Sequence, residues 1–176
     1  MKRYTLLLAI SLLPLSIMAQ PDFSSLAKEK ISQLDLMVGT WKGMGYMWTQ
    51  AGKDSSHVVE NIQYKLDSTI LFIEGQGTKV MEDGSKMVVH DALGIMSFHP
   101  FLKEYQMTSF ISKGMSTVAK VKIIDAENII WSFNSGPVSI RYSITIANNQ
   151  WTEIGERSMD GQNWMKFFEM KLSKVN

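Results

Sequence analysis

Glu60 falls in the run Val58-Val59-Glu60-Asn61-Ile62-Gln63-Tyr64-Lys65-Leu66, and Glu153 in Trp151-Thr152-Glu153-Ile154-Gly155-Glu156-Arg157. Alternate residues of an extended strand share a face, so Glu60 is predicted to lie beside Val58, Ile62 and Tyr64, and Glu153 beside Trp151 and Arg157. A carboxylate among apolar neighbours is costly unless it is partnered. A common face would let Glu153 and Arg157 form a charge-assisted pair. A few polar groups in an otherwise apolar space make the usual composition of a small-molecule site. The candidate ligand-binding set on this pattern is Glu60, Tyr64, Glu74, His90, Trp151, Glu153 and Arg157. Glu74 enters because it interrupts the run Ile70-Leu71-Phe72-Ile73, and His90 because it stands mid-strand. The same groups can face outward as paired or solvated charges, and both placements stand as alternatives.

Other chemistry finds less support. His90 and Asp91 are adjacent and point to opposite strand faces, so they do not make a dyad. No HxH or HExxH spacing supports a zinc site, and no metal ligand is assigned. There is no Gly-x-Ser-x-Gly elbow, cysteine is absent, and Gly75-Gln76-Gly77 is too short to cradle a phosphate. No catalytic residue is assigned. In Val138 to Ile146 the apolar face holds Ile140, Tyr142 and Ile144, which turns Arg141 toward solvent.

The elements that must position these residues are strands. After residue 38, short alternating segments are separated by turn residues at intervals of roughly 8–12 residues, the spacing of an all-β sandwich or barrel. Ten strands are predicted, at 40–48, 56–66, 69–80, 86–98, 104–112, 115–124, 129–134, 138–147, 150–158 and 163–173. Asp83-Gly84 predicts a type I′ hairpin, and Asn148-Asn149 and Asp160-Gly161 predict further turns. Tight connections favour antiparallel neighbours in up-and-down order, and closure removes exposed edges. The predicted fold is all-β, a closed antiparallel up-and-down barrel of about ten strands with a cavity, a β-sandwich being the alternative. Residues 23–34 are predicted to form a short amphipathic helix at one end, capped by Ser24 or Ser25, with Ala27, Ile31 and Leu34 on its apolar face.

Residues 1–19 read as a secretory signal: Lys2 and Arg3 precede the apolar Leu6 to Leu13, and Ala19 precedes the expected cleavage site. The apolar run is broken at Pro14, short of the ~20 residues that span a bilayer, so no membrane anchor is expected. Residues 20–176 are read as one domain of a secreted or periplasmic protein. With Lys2 and Arg3 set aside, 16 basic residues face 17 acidic ones, and no basic stripe predicts a nucleic-acid partner. Without cysteine the domain depends on its core rather than on disulfides. Thirteen methionines, among them Met44, Met87, Met107, Met115, Met159, Met165 and Met170, suit either ordinary core packing or a cavity that adapts to apolar ligands.

Leu36-Met37-Val38-Gly39-Thr40-Trp41-Lys42-Gly43-Met44-Gly45 and Glu156-Arg157-Ser158-Met159-Asp160-Gly161-Gln162-Asn163-Trp164 resemble the calycin-like secreted barrels related to lipocalins, fatty-acid-binding proteins and nitrobindins, above all bacterial lipocalin-like proteins. The resemblance implies that Gly39 and Trp41 are structural, with Trp41 packed across the closed end, and that the interior carries a ligand. Nitrobindins hold haem through a histidine near the C-terminal strands; the histidines here are His57, His90 and His99, so no haem and no other cofactor is expected. The Arg-x-Tyr carboxylate clamp of fatty-acid-binding proteins is replaced by adjacent Arg141-Tyr142. The expected function is a secreted barrel whose lumen binds a small, largely apolar molecule. The alternatives are a lumen isomerase, lyase or haem-dependent detoxifying enzyme acting through His90, Glu60 or Glu153, and a protein that works through its outer surface.

Overall fold

The structure, a computed structural model, describes residues 21–175; the predicted signal peptide lies outside them. Helix α1 (Ser24–Ile31) runs into a 3-10 turn (Ser32–Met37), and ten strands follow. They are β1 (Gly39–Thr49), β2 (Gly52–Lys65), β3 (Ile70–Val80), β4 (Lys86–His99), β5 (Glu104–Ile111), β6 (Met115–Ile123), β7 (Asn128–Ser135), β8 (Val138–Ala147), β9 (Gln150–Ser158) and β10 (Met165–Val175). Each pairs antiparallel with its sequence neighbours, and β1 pairs with β10 to close a barrel. The closed up-and-down architecture is the one the turn spacing predicts, and the sandwich is excluded.

Local differences from the sequence reading have physical causes. β2 starts four residues earlier than expected, because Thr49 still pairs with Gly52 across a two-residue turn and the hairpin ladder continues from there. At Asp83-Gly84 only the glycine takes a positive φ (81°), and Met81 and Ser85 bond across a longer loop, so the turn is not type I′. The pair with positive φ at both positions is Asn148-Asn149 (52° and 58°), as a two-residue type I′ hairpin requires. Neither Ser24 nor Ser25 caps α1. Phe23 holds the N-cap position without a side-chain bond, and Asp22, one residue before it, accepts from the first helical amide, that of Ser24, at 2.8 Å.

The helical segment plugs one end. Ile31, Leu34 and Met37, spaced to share one side, are fully buried. Two tyrosines of the barrel wall hold the plug by their hydroxyls: Tyr64 donates to Asp35, and the Tyr105 hydroxyl lies 3.0 Å from both the Lys30 carbonyl and Gln33 Oε1. Trp41 is buried on the inner face of β1. Its indole donates to the Met37 carbonyl at 2.7 Å, and its ring meets Trp151 edge-to-face at 5.5 Å. Gly39, with φ of 129°, adopts a conformation open to glycine alone and passes against the Lys174 side chain.

Replacing Trp41 by Ala removes the ring that joins plug to barrel. The expected cost is about 3–5 kcal/mol in denaturant unfolding, the scale of large aromatic truncations in a core. A loss below about 1 kcal/mol would show that the ring does not carry the closed end.

Candidate functional site

The strand registers sort side chains into inner and outer faces. On β2 the inner face is Ser56, Val58, Glu60, Ile62 and Tyr64; on β3 it is Leu71, Ile73, Gly75 and Gly77; on β9 it is Trp151, Glu153, Gly155 and Arg157. Glu60 pairs with Trp41 on one side and Gly75 on the other. Glu153 pairs with Ile144 and Met170. The two carboxyls therefore stand just above the floor that Trp41 and Trp151 make, one beside each indole.

Their surroundings differ. The Glu60 carboxyl lies against Gly75, where an added Cβ would sit 2.7 and 2.8 Å from its two oxygens. That close approach explains the glycine, and no donor among the described residues holds the carboxyl there. Glu153, 6% exposed, accepts from Trp131 Nε1 at 2.9 Å. The Trp151 indole N–H, buried on the same face of β9, has no partner of good hydrogen-bond geometry among the described residues. Desolvation pushes the Glu60 carboxyl up to about 8, with repulsion from Glu153 adding to it. Desolvation also raises Glu153, to about 7, against the pull of the Trp131 and Trp151 N–H groups.

An aromatic wall rises beside Glu153. Tyr142 stacks on Trp131 (centroids 4.0 Å apart, planes 6° apart), Phe133 continues the stack at 5.9 Å, and Phe168 meets Tyr142 edge-on at 5.9 Å. Gly155 admits the Tyr142 ring, since a Cβ there would lie 2.7 Å from it. Burial raises the Tyr142 phenol, and the neighbouring Glu153 raises it further.

Above this level the barrel is open. Met47, Met115 and Met165 occupy inner-face positions at the far end, yet they are 47%, 61% and 61% exposed. His90 pairs with inward-facing Gly77 and is exposed at the same mouth, with burial of part of its ring lowering its pKa. Glu60 and Tyr142, well below the mouth, still keep accessible surface. Two surface depressions lie elsewhere; the larger, about 810 Å³, runs past Lys103, Tyr105, Lys122 and Ile130 on the outside at the plugged end.

The structure thus brings Glu60, Trp151 and Glu153 together and places the other candidates apart from them. Tyr64 faces inward but serves the plug. His90 and Arg157 belong to the mouth. Arg157 makes no ion pair with Glu153, because four residues of strand separate them by about 13 Å. Glu74 is a correction: it lies between inward Ile73 and Gly75, so it faces outward, is exposed, and accepts from Asn61 at 3.3 Å. Arg141 faces outward as expected, bonding Glu156 at 2.8 Å and covering the Trp164 ring at 4.0 Å. The methionines divide, with Met107 and Met170 in the core and Met115 and Met165 at the mouth. Sequence reasoning missed Trp131 as a site residue. Its signal was present in an inward phase shared with Ile129 and Phe133.

No known protein family matches the sequence, and no curated protein matches it. Among solved structures the fold is similar to that of Rv2717c from M. tuberculosis, with 14% identity over 85% of this chain and 98% of that one, at a TM-score of 0.60. It is also similar to the S-type phycobiliprotein lyase CpeS from Guillardia theta, with 8% identity over 89% of this chain and 99% of that one, at a TM-score of 0.57. The likeness establishes a shared ten-strand antiparallel barrel fold.

Both lumen carboxyls take up protons more readily in the folded state than at the ordinary carboxylate value of 4.5. Their contribution to stability is full below that value and is lost as pH rises through about 7 for Glu153 and about 8 for Glu60. His90, lowered from 6.5, acts in the opposite sense. The comparison between wild type and Glu60→Gln isolates the carboxyl from the histidine. The variant is expected to lose part of the decline between pH 5 and 8 and to gain about 1–3 kcal/mol at pH 8 in urea unfolding. An unchanged slope would place Glu60 in water rather than in the lumen.

Proposed function

We propose that the barrel binds a small, largely apolar molecule in its lumen, entering by the open mouth and resting above the Trp41–Trp151 floor. The observation that carries this reading is that Glu60 and Tyr142 lie deep between the strands and still keep accessible surface beneath an open, methionine-lined mouth. An apolar wall with a few polar groups suits a ligand held by burial and oriented by one or two hydrogen bonds. Glu60, Trp151 and Glu153 are the polar determinants of this reading, with Arg157 and His90 at the entrance. Kinship with lipocalins, fatty-acid-binding proteins and nitrobindins belongs to the same proposal, as does export of residues 20–176 after removal of the signal. No cofactor is part of it.

A second reading has one observation in its favour. A carboxyl raised to about 7, as Glu153 is, suits a general acid or base near neutral pH. The neighbour from Guillardia theta is by its name a lyase. Turnover of a bound molecule would separate this reading from simple binding.

Displacement of an anilinonaphthalene dye tests the lumen. The wild-type barrel is expected to bind the dye, and native mass spectrometry of protein from its own host is expected to show a co-purifying molecule. Glu153→Gln is expected to weaken binding of that molecule by about 1–3 kcal/mol without loss of fold, the scale of a lost hydrogen bond to a charged group. A wild-type barrel that binds no such dye would overturn the reading in favour of work at the outer surface.

A further inference from the structure

Two carboxyls share the mid-lumen, and their charges are not balanced by a cation at that height. Among the described residues, the inward Lys and Arg side chains lie at the two ends of the barrel. Lys174 is at the floor, its Nζ 5.2 Å from the Trp41 ring centre; Arg157 is exposed at the mouth; Lys79 is also at the mouth, paired with Asp54. The groups that face Glu60 are Trp41 from β1, Gly75 from β3 and Glu153 from β9, with Tyr142 of β8 beside Glu153 and His90 of β4 above. None of these supplies a fixed positive charge.

Glu60 lies deep in the lumen and has no hydrogen-bond partner among the described residues, while its carboxyl lies along the wall over Gly75 instead of reaching for the mouth. Glu153 is held as an acceptor by the Trp131 N–H. Beside the two acids stand Trp131, Tyr142, Phe133 and Phe168, whose ring quadrupoles attract cations. Acids and π-systems facing a common space, without a resident base, are complementary to one class of ligand.

We propose that the lumen takes a small organic cation, an ammonium group carried on an apolar or aromatic body, with the nitrogen between Glu60 and Glu153 and the body against the Trp131–Tyr142 wall. This rests on the lumen-binding reading and adds the charge of the ligand to it. A cation entering this space favours ionised carboxyls, so binding releases a proton to solvent below pH 8.

The test compares 1-naphthylmethylammonium with 1-naphthylmethanol, which has nearly the same shape and no charge. At pH 8 the wild-type barrel is expected to prefer the ammonium by about tenfold or more, as a desolvated charge-assisted contact supplies. Calorimetry at pH 6.5 in buffers of different ionisation enthalpy is expected to show proton release with the ammonium and none with the alcohol. Glu60→Gln and Glu153→Gln are each expected to lower the ratio of ammonium to alcohol affinity, the quantity that isolates the ligand's charge from any change in overall affinity. If the alcohol binds as tightly as the ammonium, or if the ammonium preference survives in both variants, the cation assignment is wrong and the lumen reading stands. If neither compound binds, the lumen reading falls with it.

Discussion

The contact between Trp41 and the carbonyl of Met37 sets the floor on which the interior is built. The indole N–H would be unsatisfied at this depth without that acceptor, and a lost partner costs about 1–3 kcal/mol for a buried polar group. Meeting the requirement locks the end of the helical segment to the start of β1, only four residues away. The same ring then supports Trp151 across the barrel. Both carboxyls stand next to this pair of indoles, Glu60 in register with Trp41 and Glu153 two residues beyond Trp151 on the same face.

Above the floor the packing changes character. Below it, Leu71, Met96, Leu172 and the plug residues Ile31, Leu34 and Met37 are fully buried. Higher up, several inner positions are glycines that give room to particular neighbours: Gly75 to the Glu60 carboxyl, Gly155 to the Tyr142 ring. The second conspicuous sequence segment, 156–164, has a structural role at the rim. Ser158 and Asp160 gather the amides of Gly161, Gln162 and Asn163 into one knot, and Trp164 is covered by Arg141. The knotted rim stands at the open end, where inner-face Met115 and Met165 are exposed, opposite the end where the inner residues are buried.

Much of the fold was legible because strand and turn signals are local. The alternation of Val138 to Ile146 placed Arg141 outside, and the phase of β2 placed Glu60 inside, with no tertiary information. The face of Glu74 was not legible because an interruption in a continuous apolar run says nothing about phase; the register of β3 against β2, with Ile73 and Gly75 opposite Ile62 and Glu60, is what places it outside. The expected Glu153–Arg157 pair failed on distance rather than phase, since sharing a face does not bring residues four apart in a strand into contact. The indole bond to Glu153 depends on how separate elements meet, and no local pattern encodes that. The inner aromatic wall lay between these cases: the alternation of Val138 to Ile146 put Tyr142 on the apolar face, but the stacking of Trp131 on Tyr142 follows from the β7–β8 register, and a bulge between Lys166 and Phe168 hides the phase of Phe168.

The order of the strands bears on how the chain reaches this state. Nine of the ten pairings join strands that are consecutive in sequence, and each can form as a hairpin or a meander with a short loop to close. The tenth joins β1 to β10, pairing Thr40 with Val175, and must wait for a loop spanning nearly the whole domain. At this seam the strands leave no room for a side chain at Gly43, where a Cβ would lie 2.0 Å from the Lys171 carbonyl oxygen. Long-range pairing of this kind carries the loop-closure entropy that slows folding. Until the seam shuts, the chain is a curled sheet with two free edges, each able to pair with another copy. Intermolecular exchange of the first or last strand is therefore the misfolding route this topology leaves open.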